Sequence, residues 1–333
     1  MRISDIAKDM GISVATVSNA LAGKGRMRSE VREAIRARAA ELGYRSRHRR
    51  PALRLVAVTE ELNSAFVSAM LSGAVEEASA QGLLLPVCSL QVNAGASVPE
   101  PDIGTLNRRV EEILASLPFQ VSGVLYISQY ARRVDGLLTR LPIPTVSTYC
   151  TREDGGCFVH YDDHQGAYLA VNALLDGGCR NIAMISGPIN SIGMYLRSSG
   201  YQQALVERGL LYDPQLVRIG DWDSQSGYEQ TARLLESSPI DGIFAQNDYL
   251  ALGAVRAVRE KGLSIPEDVS VVGFDDTIPA RLSDPQLSSI RPPFQEMGRQ
   301  AVRLLLEQAA GAPVSACPLL PCTLVQRQSI RSR

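Results

Sequence analysis

The strongest constraint on the fold is an alternation, from about residue 53 onward, between short β-branched runs and stripes of apolar residues at helical spacing. Leu53–Val58 is the first run, and residues 67–78 contain the first stripe. The cycle recurs through strand-like runs at 121–128 and 144–148 and then through a second, similar series. Strands that alternate with helices predict parallel sheets covered by helices on both faces. Two such series predict an α/β body of two similar lobes.

The chain is long enough for more than one domain, and its charge is unevenly divided. Its 333 residues exceed what one hydrophobic core usually organises. Residues 1–54 carry 13 Lys and Arg against 5 Asp and Glu, a formal charge of +8, whereas the remainder carries 21 against 30, or −9. A basic head on an acidic body predicts that a polyanion binds the head alone.

The composition limits the class of protein further. Hydrophobic residues make up 45% and charged residues 21%, which is ordinary for a globular chain and excludes a disordered one. The apolar runs are too short to cross a bilayer and the first residues begin no signal peptide, so we expect a cytoplasmic protein. Six Cys residues without a C-x-x-C pair predict reduced thiols and no zinc site.

The basic head predicts three short helices. Ser4 can cap the first helix, which Gly11 ends, and Ser13 can cap the second. Ser29 can cap a third helix, and Gly43 ends its apolar stripe. Two short helices around a glycine turn, supported by a third, are typical of a helix-turn-helix unit. A three-helix module that contacts another protein is the alternative, which the charge of +8 disfavours.

The head resembles that of the lactose-repressor (LacI) family in both spacing and composition. The segments that carry the resemblance are Ile3–Ala7, Gly11–Leu21 and Glu41–Tyr44. The resemblance implies that the second helix lies in the major groove of DNA and reads bases from its exposed side. That side carries small and polar residues, namely Val14, Ala15, Thr16, Ser18 and Asn19.

Different roles follow for these side chains. The family reads bases from the positions that match Val14, Ala15 and Asn19. Asn can bond adenine through two hydrogen bonds, whereas Val and Ala can only touch a thymine methyl. Hydroxyl groups on the same helix, and that of Ser4, would bind phosphates. The predicted DNA-binding set comprises Ser4, Ser13, Val14, Ala15, Thr16, Ser18, Asn19, Arg26, Arg45, Arg47, Arg49 and Arg50.

The basic linker departs from the family pattern. Relatives usually have a hinge helix whose Leu enters the minor groove, but residues 45–52 are too few for one and Pro51 would end it. We expect an extended arm that contacts phosphates or the minor groove and kinks DNA less than in relatives; a solvated charge run is the alternative. The expected domains are a head at 1–44, the linker at 45–52 and a body at 53–330, with a first lobe of about 53–160 plus 287–315 and a second of about 161–286 plus 316–330.

Polar and aromatic side chains follow the strands of the second series. Arg197, Trp222, Asn247 and Asp275 each come soon after a strand-like run. Ligands of parallel sheets bind beyond the carboxyl ends of the strands, where loops and helix N-termini converge. An aromatic face surrounded by Asn, Asp and Arg suits a sugar. Taken singly, Asp248 and Asp275 could instead cap helices, and Trp222 could be a core residue.

The resemblance extends over nearly the whole chain and implies a periplasmic-binding-protein-like body. The matching motifs are Arg197–Leu205, Ala245–Gly253 and Ser270–Asp276. In the family, the residues that match Arg197, Asn247 and Asp275 bind the effector. Trp222 matches a tryptophan that stacks on sugars, and Phe294 matches a pocket aromatic. The predicted effector-binding set comprises Asn63, Ser64, Phe66, Arg197, Trp222, Asn247, Asp275 and Phe294.

The sequence therefore predicts a sequence-specific DNA-binding transcription regulator, a repressor whose operator affinity a small effector controls. We expect a sugar or sugar derivative. A pocket Asp of some sugar-responsive relatives falls here near Thr148 and Tyr149, so no particular sugar is implied. A nucleoside or another metabolite is the alternative. No heptad repeat follows the last strand-like run, so we expect a homodimer on a pseudo-palindromic operator, without a cofactor.

Two other classes of protein fit the sequence less well. An enzyme is disfavoured because there is no G-x-S-x-G elbow, P-loop or strand-linked G-x-G-x-x-G. A transport binding protein would share the two-lobed body but not the basic head. The cluster from His160 to His164 could indicate a metal site. We expect it instead to cross between the lobes and to cap a helix near Gln165, with a second crossing near 289–293.

Overall fold

The protein divides into two compact units, Met1–Leu53 and Arg54–Arg333. This computed structural model describes residues 3–22, 27–42, 53–92, 102–312, 317 and 319–332. The predictions for the linker, including its helix content, lie outside these residues. The same holds for Arg26, Arg45, Arg47, Arg49 and Arg50.

The first unit is the predicted helix-turn-helix head. It contains α1 (Ile3–Asp9), α2 (Val14–Ala22) and α3 (Ser29–Glu41). Gly11 makes the turn between the first two helices with a φ of 65°, a conformation that residues with a side chain rarely adopt. Arg38 of α3 reaches Asp9 of α1 through a 2.6 Å ion pair. The buried apolar core consists of Ile6, Ala7, Val17, Ala20, Ile35 and Ala39.

The second unit alternates between strands and helices, as predicted. Its strands are β1 (Leu55–Thr59), β2 (Val87–Ser89), β3 (Gly123–Arg133), β4 (Thr145–Thr151), β5 (Cys157–Tyr161), β6 (Ile182–Ser186), β7 (Val217–Ile219), β8 (Gly242–Ala245), β9 (Ser270–Phe274), β10 (Ser288–Arg291), β11 (Leu319–Leu320) and β12 (Thr323–Val325). Its helices are α4 (Ala65–Ala80), α5 (Ile103–Ser116), α6 (Asp163–Asp176), α7 (Ile192–Glu207), α8 (Ser224–Ser237), α9 (Asp248–Glu260), α10 (Ile278–Leu282) and α11 (Phe294–Ala309).

The strands form two sheets, one for each lobe, within the described ranges. Their orders are β11-β5-β4-β3-β1-β2 and β12-β10-β9-β8-β6-β7. Neighbouring strands are parallel except β10 and β12, which run antiparallel. The predicted fold class, a helical head with a two-lobed body of parallel sheets, is confirmed.

The lobe boundaries differ from the predicted ones at two short strands, β10 and β11. The range 287–315 was assigned to the first lobe, but Ser288 to Ile290 pair with β9 in the second sheet. The chain crosses only after β10, at Pro292 and Pro293, because proline has no N–H to continue a ladder. Likewise β11 was assigned to the second lobe but pairs with β5 of the first. The return follows at Pro321.

The lobes share one continuous apolar core at the crossing. A single cluster of buried residues runs from Leu55 and Ile127 in the first lobe through Tyr161 to Phe274 in the second. Within the described ranges, no helix is both long and apolar enough to cross a membrane.

Helices α4 and α11 pack so closely that glycine is required at their contact. A Cβ on Gly298 would lie 1.9 Å from the carbonyl oxygen of Met70, and one on Gly73 would lie 1.8 Å from that of Gln295. Arg299 and Arg303 of α11 add ion pairs to Glu residues of α4 at 2.7 and 2.9 Å. The packing fixes the start of α11 against the first lobe.

We therefore expect Gly298→Ala to lower the free energy of unfolding by about 2 to 3 kcal/mol, because the added methyl group forces two helix backbones apart. Urea unfolding followed by circular dichroism measures the change. Ser72→Ala, at an exposed position of α4 beside Gly73, is the control and should change stability by less than about 0.5 kcal/mol. Equal losses in both variants would contradict the close packing.

Candidate functional site

Helix α2 of the head has a buried face and an exposed face. Val17 and Ala20 are fully buried, whereas Val14 is 51% exposed and Asn19 is also exposed. The exposed face therefore carries the side chains predicted to approach DNA. Of the others, Ser4 and Ala15 are exposed, and Thr16 and Ser18 are half-buried.

The hydroxyl of Ser13 has a local structural role. Its Oγ accepts a hydrogen bond from the backbone N–H of Thr16 at 3.0 Å and lies 2.7 Å from Thr16 Oγ1. This is the geometry of a helix N-cap. The bond fixes where α2 begins and so sets the direction of its exposed face.

In the body, a buried guanidinium connects the carboxyl ends of several strands. Arg197, on α7, is 5% exposed. Its Nε donates to Asp163 Oδ1 at 2.7 Å, its Nη2 donates to the Tyr161 hydroxyl at 2.9 Å, and its Nη1 donates to the carbonyl oxygen of Gln246. The guanidinium carbon also lies 3.8 Å from the centre of the Phe274 ring. Hydrogen bonds and an aromatic face thus replace the water lost by this cation.

Asp275 lies beside this guanidinium at the end of β9. Its Oδ1 is 3.9 Å from Arg197 Nη2, and its side chain is 10% exposed. The pKa of Asp275 is raised to about 6, mainly by burial. The positive charge of Arg197 lowers this pKa, and the negative charge of Asp163 raises it. The backbone φ of Asp275 is 100°, which is rare for a residue with a side chain. The loop therefore holds the Asp275 carboxyl beside Arg197 in an unfavourable backbone conformation.

Asn247 and Trp222 are joined to each other. The amide oxygen of Asn247 accepts from the N–H of Leu250 at 2.7 Å and caps α9, so the cap is Asn247 and not Asp248, for which capping was the alternative. Its amide nitrogen donates to the carbonyl oxygen of Trp222 at 3.1 Å. The Trp222 ring centre lies 5.8 Å from the Arg197 guanidinium. The Asn247 side chain thus caps α9 and also holds the loop that carries Trp222.

The first lobe contributes aromatic rings. Phe66 and Phe294 stack with centres 4.7 Å apart and planes 22° apart, and Tyr149 meets Phe294 edge-on at 5.6 Å. Tyr161 continues the contact towards Phe274 of the second lobe, at 6.2 Å. The other two predicted residues of this lobe are not in the ring cluster: the Ser64 hydroxyl caps α4, and Asn63 is exposed.

The sequence analysis missed several residues of this region. Tyr149, Tyr161 and Asp163 lie in the cluster, and Glu60 is buried at the end of β1. Glu60 accepts from the Tyr126 hydroxyl at 2.5 Å and pairs with Arg132. The strand-end rule would have found Glu60, because it directly follows a buried strand.

In the cluster from His160 to His164, at the first crossing between the lobes, helix capping and binding of Arg197 fall to different residues. Asp162 caps α6 by accepting from the N–H of Gln165 at 2.9 Å, so the helix begins at Asp163. Asp163 instead binds Arg197. His160 Nδ1 lies 2.8 Å from the carbonyl oxygen of Tyr161. Among the described residues, no group of three or more His, Cys, Asp or Glu side chains is placed to hold a metal ion.

Comparison with known proteins identifies the family. Residues 2–46 match the family model described as bacterial regulatory proteins, lacI family, and residues 171–330 match a periplasmic binding protein-like domain. The chain is 32% identical over 317 residues to the transcriptional regulator CelR of Thermobifida fusca, covering 92% of this chain and 91% of the relative. The chain belongs to the LacI family. This LacI-family chain is a DNA-binding transcription regulator, and its relatives are not enzymes.

Other LacI-family relatives match over nearly their full length. The lactose operon repressor of Escherichia coli K12 is 28% identical over 350 residues, covering 98% of this chain and 89% of the relative. Solved structures include a CelR–cellobiose complex, with a TM-score of 0.66, 28% identity and 99% coverage of both chains. A lac repressor dimer bound to operator and the anti-inducer ONPF has a TM-score of 0.68 and 26% identity, covering 99% of this chain and 98% of that one.

The raised pKa of Asp275 predicts that Asp275→Asn stabilises the protein at alkaline pH. A folded pKa of about 6 lies above the ordinary 3.9 or so. The carboxyl therefore contributes stability below about pH 4 and loses it as the pH rises through 6. Since Asn stays neutral, the variant should gain up to about 3 kcal/mol at pH 8, a gain that shrinks between pH 6 and 4.

Thermal unfolding at several pH values measures this gain. Asp221→Asn, which neutralises an exposed carboxyl at the end of β7, is the matched control and should leave the melting curves unchanged. A stability difference between Asp275→Asn and the unsubstituted protein that does not vary with pH would show that Asp275 does not titrate in this range.

Proposed function

We propose that this regulator is a homodimeric repressor in the cytoplasm that reads a pseudo-palindromic operator through α2. A sugar or sugar derivative bound between the lobes of its body controls its operator affinity. The observation that carries the proposal is the convergence of strand ends on Arg197. It gathers a carboxyl, an aromatic ring and a buried cation in one place, while the head separately exposes a small polar helix face. Coupling of about 1 to 3 kcal/mol between the two sites is enough for regulation.

In the head, we assign base reading to Val14, Ala15 and Asn19, and phosphate contacts to Ser4, Thr16 and Ser18. The exposure of these side chains supports the assignment. We assign Ser13 a structural role, because its hydroxyl oxygen already accepts a hydrogen bond from the Thr16 N–H as the N-cap of α2. Because the lac repressor dimer has been solved on its operator, docking of α2 in the major groove is the simplest arrangement for this chain too.

In the body, we assign hydrogen bonding of sugar hydroxyls to Asp275 and Arg197, and ring stacking to Trp222. Asn247 positions Trp222 through its bond to the backbone. Phe66 and Phe294 supply the apolar wall of the first lobe, whereas Asn63 and Ser64 contribute by shaping the loop before α4. Carboxylates and guanidinium groups bond hydroxyls, and aromatic faces stack on the C–H face of a sugar ring. The CelR complex with cellobiose supports a sugar.

A nucleoside is the second candidate. The observation that favours it is the ring of Tyr149; the family resemblance places a pocket Asp of some sugar-responsive relatives near Thr148 and Tyr149, where this chain has no carboxylate. Tyr149 packs edge-on against both Phe66 and Phe294. A planar base would stack on such rings as readily as a sugar does on Trp222. The two ligand classes are separated by direct binding measurements.

For the head, we expect Asn19→Ala to weaken binding to the selected operator by roughly 10- to 100-fold, since a bidentate contact to adenine is worth about 1 to 3 kcal/mol. The operator is a duplex selected from a random pool with the unsubstituted protein, and fluorescence anisotropy measures the affinity. Val31→Ala, at a 45% exposed position of α3, is the control and should have no effect. Unchanged binding by Asn19→Ala would remove Asn19 from the reading face.

For the body, the fluorescence of Trp222, the one tryptophan in the sequence, should report ligand binding at the cleft. We expect a change with one member of a panel of cellobiose, other glycosides and nucleosides. Asp275→Asn should weaken binding of that ligand at least tenfold at pH 8, because a neutral amide replaces the ionised acceptor, whereas Glu267→Gln, at an exposed position between α9 and β9, should not. If no ligand of the panel changes the Trp222 fluorescence and none gives binding heat in calorimetry, the effector assignment is contradicted.

A further inference from the structure

The loop after β9 adopts a conformation that its own residues disfavour. The backbone φ values of Asp275 and Asp276 are 100° and 49°, both in the left-handed region. Residues with a side chain occupy this region only when the surrounding structure holds them there. Asp275 is the carboxyl at the cleft, so whatever holds the loop also sets the position of that carboxyl.

One anchor of the loop is Asp248, the first residue of α9. Its side chain is fully buried, and its Oδ2 accepts a hydrogen bond from the backbone N–H of Thr277 at 2.6 Å. Its Oδ1 accepts a second bond from the hydroxyl of Ser289 at 2.6 Å. Asp248 thus connects the far end of the loop to β10.

A second side-chain anchor is the hydroxyl of Ser289, beside the backbone bond from the Asp275 N–H to the Ile290 carbonyl oxygen at 2.8 Å and the ion pairs that three arginines make with Asp276. While it donates to Asp248, its Oγ also accepts from the backbone N–H of Asp276 at 3.0 Å. Ser289 is fully buried on β10, three residues before Pro292 at the crossing. Two consecutive backbone N–H groups of the loop are therefore bound by one carboxyl and one hydroxyl that are bound to each other.

The space for this network is provided by Gly273, directly before the loop. A Cβ at Gly273 would lie 2.3 Å from Asp248 Oδ1. Burial and the charge of Asp275 raise the pKa of Asp248 to about 7, although the hydrogen bonds from Ser289 and Thr277 lower it. Burying a carboxyl without hydrogen bonds costs free energy. The buried Asp248 therefore indicates that the Thr277 N–H and the Ser289 hydroxyl need an acceptor between them.

We propose that Asp248 and Ser289 are positioning residues that hold the Asp275 carboxyl in the effector cleft. The proposal rests on the assignment of Asp275 to the effector. Neither residue needs to contact the ligand. They act through the backbone N–H groups of Asp276 and Thr277, and they tie the loop to the strand that leads into the crossing between the lobes.

The test is the titration of Asp275 in the protein without ligand, followed by NMR of ¹³C-carboxyl-labelled aspartate and assigned with Asp275→Asn. In the unsubstituted protein the pKa of Asp275 should be about 6. In Ser289→Ala the Asp276 N–H and Asp248 both lose their bond to the hydroxyl, so the loop should shift within its remaining contacts and the pKa of Asp275 should move towards the ordinary value of roughly 4. Ser289→Thr keeps the hydroxyl and should keep the raised pKa.

Ser329→Ala is the matched control. The Ser329 hydroxyl is also fully buried and makes two bonds, to the carbonyl oxygen of Val271 and from the N–H of Ser288, but none to the loop. It should lower stability without moving the pKa of Asp275. A purely structural role for Ser289 would give the same result as this control. An unchanged pKa in Ser289→Ala would overturn the proposal.

If Ser289→Ala does not fold, Asp248→Ala provides the second test, because it removes both acceptor oxygens and so the partner of the Thr277 N–H. We expect the backbone N–H of Thr277 to exchange with solvent at least tenfold faster in this variant, measured by hydrogen exchange, and not in Ser329→Ala. Equal protection in both would also overturn the proposal. Both readouts need no effector, so they are independent of the ligand panel.

Discussion

The burial of the Arg197 guanidinium is the constraint on which the rest of the body depends. A cation removed from water is tolerated only where anions, hydrogen-bond acceptors or aromatic faces surround it. Here Asp163 at the start of α6, Tyr161 at the end of β5 and the carbonyl of Gln246 after β8 each accept from it. These groups come from distant parts of the chain. They can meet only if the strand ends of the second lobe and the crossing strand are arranged around α7.

This arrangement divides the cleft between two kinds of surface. The second lobe supplies charge, through Arg197 and an Asp275 carboxyl whose burial opposes its ionisation. The first lobe supplies stacked rings from α4 and α11, held in place by the close contact at Gly73 and Gly298. A ligand with hydroxyls on one side and an apolar face on the other would satisfy both surfaces. Under the proposed function, the effector binds near the crossings between the lobes, where it would alter their relative arrangement.

Much of this structure could be predicted from local patterns. The 3.6-residue and strand periodicities, together with the glycine turn at Gly11, are sufficient for the head and for the alternating body. The strand-end rule brought Arg197, Trp222 and Asn247 to one edge. Local patterns did not reveal to which sheet β10 and β11 belong, because their pairing with β9 and β5 is a contact between separate parts of the chain.

Other features depend on contacts between distant residues, which no local pattern records. Tyr149 enters the ring cluster with a φ of 58°, and nothing in its neighbouring sequence indicates that conformation. Asp162 and Asp163 are adjacent carboxyls, yet one caps a helix and the other binds Arg197, which is distant in sequence.

The central claim is that effector binding in the body and operator binding by the head are coupled in one chain. Operator-binding isotherms of the full chain, with and without saturating effector, test it most directly. The account predicts a shift in Kd of roughly 5- to 150-fold, and superimposable isotherms would contradict it.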